Sequence, residues 1–181
     1  MDKQKNIPSQ ISIVMSGLIS EAKHANVSRF KKIRDIFVKA DIKILAPHST
    51  DTVNDKNGFI EFQAEKAHVT PLQHEEEFLR NINRADFLYV VNTSGHIQYR
   101  SAIEMKHAFE QKKPIVTEYP KIHFMFSTEQ KLQKEISLIP FFSFNPDLLD
   151  ETEGEHILRI QRSFINIQNA YSAFTQPKKD S

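Results

Sequence analysis

The chain has 181 residues, 39% of them hydrophobic and 26% charged, proportions that suit a globular protein long enough to bury a core. Its 24 basic side chains face 23 acidic ones, so it lacks the basic excess that marks a nucleic-acid binder. It has no cysteine, which excludes disulfides, thiolate metal sites and a cysteine nucleophile. Residues 1–10 are polar and carry no apolar signal region. The longest apolar runs are strand-length, far short of a membrane span. The expectation is a cytoplasmic protein, neither secreted nor membrane-inserted.

Residues 11–15 are an apolar run bounded by Ser16-Gly17, which reads as a first strand. Phe30, Ile33, Phe37 and Ala40 then recur at threes and fours on one helical face. Residues 42–46 read as a second strand, ended by Pro47. Residues 48–69 show no steady period and hold the turn formers Asp51, Asn54, Asp55, Asn57 and Gly58, so they are expected to form a loop that covers the site. Thr70-Pro71 opens a helix, with Thr70 as its cap and proline at the first position. Glu75, Glu76 and Glu77 fall in its early turns, and Leu72, Leu79 and Ile82 mark its buried face.

Residues 87–91 are apolar on both faces, the mark of a central parallel strand. A loop over 92–100 leads to a helix over 101–111, and Pro114-Ile115-Val116 begins another strand. Residues 128–136 read as a helix and 141–144 as a last strand. A final amphipathic helix spans 154–174 through Ile157, Ile160, Phe164, Ile167 and Tyr171. This alternation predicts an α/β fold, a parallel sheet of about five strands with helices on both faces. One domain is expected over residues 11–174, between a polar leader (1–10) and a polar tail (175–181).

In such sheets ligands sit beyond the carboxyl ends of the strands, where the strand order reverses. Two small, polar segments fall at such ends: Met15-Ser16-Gly17, and Asn92-Thr93-Ser94-Gly95-His96. Either could let backbone N–H groups approach a ligand, or could be a tight turn and nothing more. A phosphate at the start of the helix near Ser101 would meet free N–H groups and the helix dipole. Glu104 sits near that helix start and could serve as a nucleophile on a sugar carbon. The same spacing, Ser101-x-x-Glu104, is also a capping box. The eight histidines (His24, His48, His68, His74, His96, His107, His123 and His156) form no ligand motif, and no metal is expected.

The stretch 85–97 (Ala85-Asp86, the apolar run to Val91, Asn92-Thr93-Ser94-Gly95-His96-Ile97), then Ser101-Ala102-Ile103-Glu104-Met105 and Ala108, then Lys113-Pro114-Ile115, resembles the nucleoside 2-deoxyribosyltransferase-like superfamily. The likeness spans residues 11–119. It implies a flavodoxin-like (Rossmann-like) sheet and cleavage or transfer of the N-glycosidic bond of a nucleoside or nucleotide. It implies Glu104 as the nucleophile, forming a glycosyl-enzyme that water or a second base resolves. Asn92, Ser94, Gly95 and Ser101 would then hold sugar or phosphate, with Ser16 and Gly17 on the opposite wall and Gln98 beside the Gly95 turn. That route needs no organic cofactor and no metal. The expected partner is a small nucleoside or nucleotide, with no nucleic acid polymer and no membrane; a homodimer is compatible with this. Three positions depart from the family pattern: Gln98 replaces a glycine, His96 a tyrosine, and Phe78, next to Glu77, an acid that handles the base. Those at Gln98 and Phe78 favour the alternative, a catalytically inactive nucleotide-binding or sensor protein on the same scaffold.

Overall fold

The computed structural model describes residues 10–17, 25–47, 52–54, 61–62, 71–146 and 153–175. In chain order the elements are β1 (Ser12–Gly17), α1 (Ala25–Lys39), β2 (Lys43–Ala46), β3 (Thr52–Asn54), β4 (Glu61–Phe62), α2 (Pro71–Arg84), β5 (Phe87–Val91), β6 (His96–Ile97), α3 (Tyr99–Glu110), β7 (Ile115–Thr117), β8 (His123–Phe124), α4 (Gln130–Ser137), β9 (Phe142–Ser143) and α5 (Glu153–Thr175).

Five strands form a wholly parallel sheet in the order β2-β1-β5-β7-β9. Its direction of growth reverses beside β1, which makes it flavodoxin-like and puts the reversal between β1 and β5. There Ile13 pairs with Phe87 and Gly17 with Val91. All five residues of β5 are buried, as a strand covered on both faces requires.

Side-chain alternation along the strands divides the core in two. Ile13, Met15, Phe87, Tyr89 and Val91 face α1 and α5, where they meet Phe30, Ile33, Phe37, Ile160 and Phe164. Val14, Leu88, Val90 and Ile115 face α2, α3 and α4, where they meet Ile82, Ala102, Met105 and Ile136. The Phe164 ring packs edge-on against Phe37, Phe87 and Phe144, with centroids 5.0–5.8 Å apart. Helix α5 is thus part of the core.

Three expectations change. Leu72 is 66% exposed; in the first turn of α2 it falls outside the packed face, which runs through Phe78, Leu79, Ile82 and Ala85 instead. Helix α3 begins at Tyr99, so Ser101 lies inside it, and the residue before the helix is Gln98, whose side chain makes no capping bond. The capping-box reading of Ser101 and Glu104 fails for that reason. Within 48–69, where a loop was expected, β3 and β4 pair antiparallel; the rest of that segment, Thr70 and the tail from residue 176 lie outside the described residues. Among the described residues no helix is long and apolar enough to cross a membrane.

Candidate functional site

Ser16 is the next-to-last residue of β1, and alternation sends its side chain to the same face as Val14, toward α3. There its hydroxyl donates to Glu104 Oε2, and Ser101 Oγ lies 3.1 Å away. All three side chains are buried. Ser16 was expected on the wall opposite Ser101; the two are in contact, because β1 and α3 pack directly together. Glu104 projects inward because α3 also buries Ser101, Ala102, Met105 and Ala108.

Burial pushes the Glu104 carboxyl above its ordinary value, since the charged form loses water. The Arg100 guanidinium and the Ser16 hydroxyl oppose that shift, and the Glu75 carboxylate of α2 adds to it. Arg100 Nε donates to Glu104 Oε1 at 3.1 Å, one helical turn back. The Arg100 guanidinium carbon also lies 5.7 Å from the centroid of the Phe78 ring. Helix α2 therefore contributes an aromatic ring and a second carboxylate to this corner.

Gly17 is required by packing: a Cβ there would stand 2.7 Å from Val91 O. Beyond β5 the chain makes one 3-10 turn, Thr93–Gly95, with Ser94 exposed at φ 55°. Gly95 has φ +83°, and a Cβ on it would meet Lys121 O at 2.4 Å. Asn92 is fully buried and its amide is already used: Oδ1 accepts from Tyr119 N at 2.9 Å and Nδ2 donates to Tyr119 O at 3.3 Å. It braces the ends of β5 and β7. Asp86 and Lys113, in the segments that carry the family likeness, are also braces. Asp86 accepts from the Ser12 amide and hydroxyl at 2.8 and 2.7 Å, and Lys113 Nζ donates to Ala85 O at 2.8 Å.

Of five further side chains near the carboxyl edge, four were not singled out from sequence as site residues, and the fifth, Phe78, was marked only as a departure from the family pattern. Arg100 had a legible signal, its i,i+4 spacing from Glu104. Phe78 and Glu75 reach the cluster through the packing of α2 on α3, which no local spacing encodes. Glu118, just past β7, and Arg29 of α1 form an ion pair, with Nη2 2.6 Å and Nε 2.7 Å from Oε1. Arg29 also reaches Asn145 Oδ1 at 2.9 Å. Glu118 Oε2 is buried and has no hydrogen-bond partner among the described residues. Among those residues, no group of three or more His, Cys, Asp or Glu could hold a metal ion.

Neither a protein-family model nor a curated protein matches the sequence. Among solved structures the chain is similar to a conserved protein from Enterococcus faecalis V583, with 15% identity and a TM-score of 0.49 over 86% of this chain and 99% of that one. It is also similar to the Clostridium botulinum CMP N-glycosidase BcmB, with 12% identity and a TM-score of 0.40 over 84% of this chain and 98% of that one.

Proposed function

We propose that the chain is an enzyme of the nucleoside 2-deoxyribosyltransferase-like kind, which hydrolyses or transfers the N-glycosidic bond of a nucleoside or nucleotide with Glu104 as nucleophile. One observation carries the reading: a buried carboxyl group projects from α3 to the carboxyl end of β1, beside the reversal of strand order, with two serine hydroxyls in contact around it. A Glu104 oxygen attacks the anomeric carbon, and the N-glycosidic bond breaks with its electron pair on the base, which takes up a proton. Water then attacks the same carbon and loses a proton, freeing the sugar and the carboxylate; a second base in place of water gives transfer. Ser16 and Ser101 hold sugar hydroxyls and steady the carboxylate. Gly17, Ser94, Gly95 and Gln98 line the approach, and Asn92 positions it through Tyr119. Residues 11–174 act as one domain.

A second reading, a nucleotide-binding or sensor protein without turnover, is favoured by one feature. Both Glu104 oxygens are engaged, Oε1 by Arg100 and Oε2 by Ser16, and burial favours the uncharged form. Incubation with a panel of nucleosides and 5′-monophosphates, followed by chromatography for free base, separates the two. The enzyme reading expects base release that Glu104→Ala abolishes in a folded protein. Release that survives that substitution ends the nucleophile assignment, and binding without release by the wild type selects the second reading.

A further inference from the structure

Arg100 stands at the edge of the Glu104 cluster with 55% of its side chain exposed. Two contacts fix its guanidinium: the Nε bond to Glu104 Oε1 and the Phe78 ring. A free arginine samples many rotamers, whereas this one is held at Nε and lies over an aromatic ring. Among the described residues neither Nη group has a hydrogen-bond partner. An arginine present only to balance Glu104 would gain most by turning two N–H groups onto the carboxylate in a bidentate pair. Here a single N–H serves Glu104 and the Nη edge is left over. That edge offers two parallel donors at the spacing of two phosphate or carboxylate oxygens. The other charges on the cluster, Glu104 and Glu75, are negative or neutral, so attraction of an anion falls to Arg100.

We infer that Arg100 reads an anionic group on the substrate, a phosphate carried on the sugar, with Phe78 as the positioning residue that holds the guanidinium in place. The Glu104 cluster then serves phosphorylated nucleosides in preference to neutral ones. The inference rests on the cluster being the substrate site proposed above.

Equilibrium binding tests it without turnover. Ribose 5-phosphate and ribose are titrated into the full chain and followed by ligand-observed NMR. The wild type is expected to bind the phosphate at least about tenfold more tightly than the neutral sugar, as one charge-assisted contact provides. Arg100→Met removes that preference, so that its affinities for ribose 5-phosphate and for ribose become equal. Phe78→Leu weakens phosphate binding several-fold, and Phe78→Tyr, which keeps the ring, restores it. Arg100→Lys keeps the charge without the fork and recovers only part of the preference, so the test stands if Arg100→Met fails to fold. A sugar bearing a 5-carboxylate in a third arm distinguishes a reader of phosphate from a reader of either anion. Equal binding of ribose and ribose 5-phosphate by the wild type, or an undiminished preference in Arg100→Met, overturns the inference and leaves Arg100 a counter-ion. A preference without base release from any nucleotide sinks the glycosidase reading and keeps Arg100 as the anion reader. Base release at equal rates from nucleosides and monophosphates does the reverse.

Discussion

Ser16 and Glu104, 88 positions apart in the chain, share a hydrogen bond in the protein interior. One belongs to the first strand and the other to the third helix of the sheet's αβ units, so the bond exists only when β1, β5 and α3 are all in place. It also opposes the upward push of burial on the carboxyl group, because a hydroxyl that donates to a carboxylate favours its charged form.

The proposed base release takes its pH dependence from this balance. A nucleophilic Glu104 works only when ionised, so the rate rises as pH climbs through its raised value. Ser16→Ala removes a group that lowers that value, and the acidic limb of the rate profile moves to higher pH. Glu75→Gln removes a group that raises it, and the limb moves to lower pH. Initial rates across a pH series measure both shifts; an unmoved limb in both variants would detach Glu104 from the chemistry.

Stability carries the same carboxyl with a definite sign. The folded-state value lies above the ordinary one, so between the two the folded protein holds more protons and stability falls as pH rises. Below that window Glu104 is uncharged in both states and carries no penalty; above it the penalty is complete. Glu104→Gln, which cannot ionise, is expected to melt higher than the wild type above the window and level with it well below. Thermal melts at several pH values check this, and a variant that melts lower at every pH would show that the Arg100 and Ser16 contacts outweigh burial.

Asn92 is expected to be a brace first. Asn92→Ala leaves the Tyr119 amide without the partner that it now has, while the Tyr119 carbonyl keeps the Thr117 hydroxyl at 2.7 Å; an amide left unsatisfied away from water costs about 1–3 kcal/mol. Urea unfolding measures the loss. A change below a few tenths of a kcal/mol would mean that water replaces the amide.

Two glycines are expected to resist substitution where a third does not. Gly17→Ala drives a methyl group to 2.7 Å from Val91 O, and Gly95→Ala drives one to 2.4 Å from Lys121 O at a positive φ. Each is expected to lose about 1–3 kcal/mol. Gly154→Ala, with nothing within 4 Å of the added carbon, is expected to be neutral or to gain about 0.4–1 kcal/mol. Calorimetric melts of the three variants rank them.

Phe164→Ala tests whether α5 belongs to the core. Its ring is fully buried among Phe37, Phe87 and Phe144, and loss of such a ring costs about 3–5 kcal/mol. A cost under 1 kcal/mol would make α5 an appendage.

Much of the fold was legible because the signals are local. The all-apolar run of β5 announced a strand covered on both faces, and the spacing of Phe30, Ile33, Phe37 and Ala40 announced the buried face of α1. The start of α3 misled because Ser101 has the look of a cap, while the residue that occupies the place, Gln98, uses no side-chain bond to do so. Leu72 misled because an apolar residue at the right period still lies in water in the first turn of α2, ahead of the residues that pack on the core. Glu104 was singled out by its place near the start of a helix after a strand end and Phe78 as a departure from the family pattern, whereas Glu75 comes from a helix that only packing brings near. The Arg29–Glu118 pair joins residues 89 positions apart, and nothing local marks either side chain as the other's partner.

The pairing of β1 with β5 also governs when this protein can exist during its synthesis. Ile13 must wait for Phe87, and Gly17 for Val91, so the first strand leaves the ribosome with its central partner still unmade. Loops that long close late and slow the search for the native arrangement. Until β5 arrives, the unpaired edge of β1 is open to wrong partners. The core on that face then waits again, for Phe164. Release of the chain through α5 is therefore the condition for a complete core, and truncation before α5 is expected to yield chains that are cleared by proteases or that aggregate.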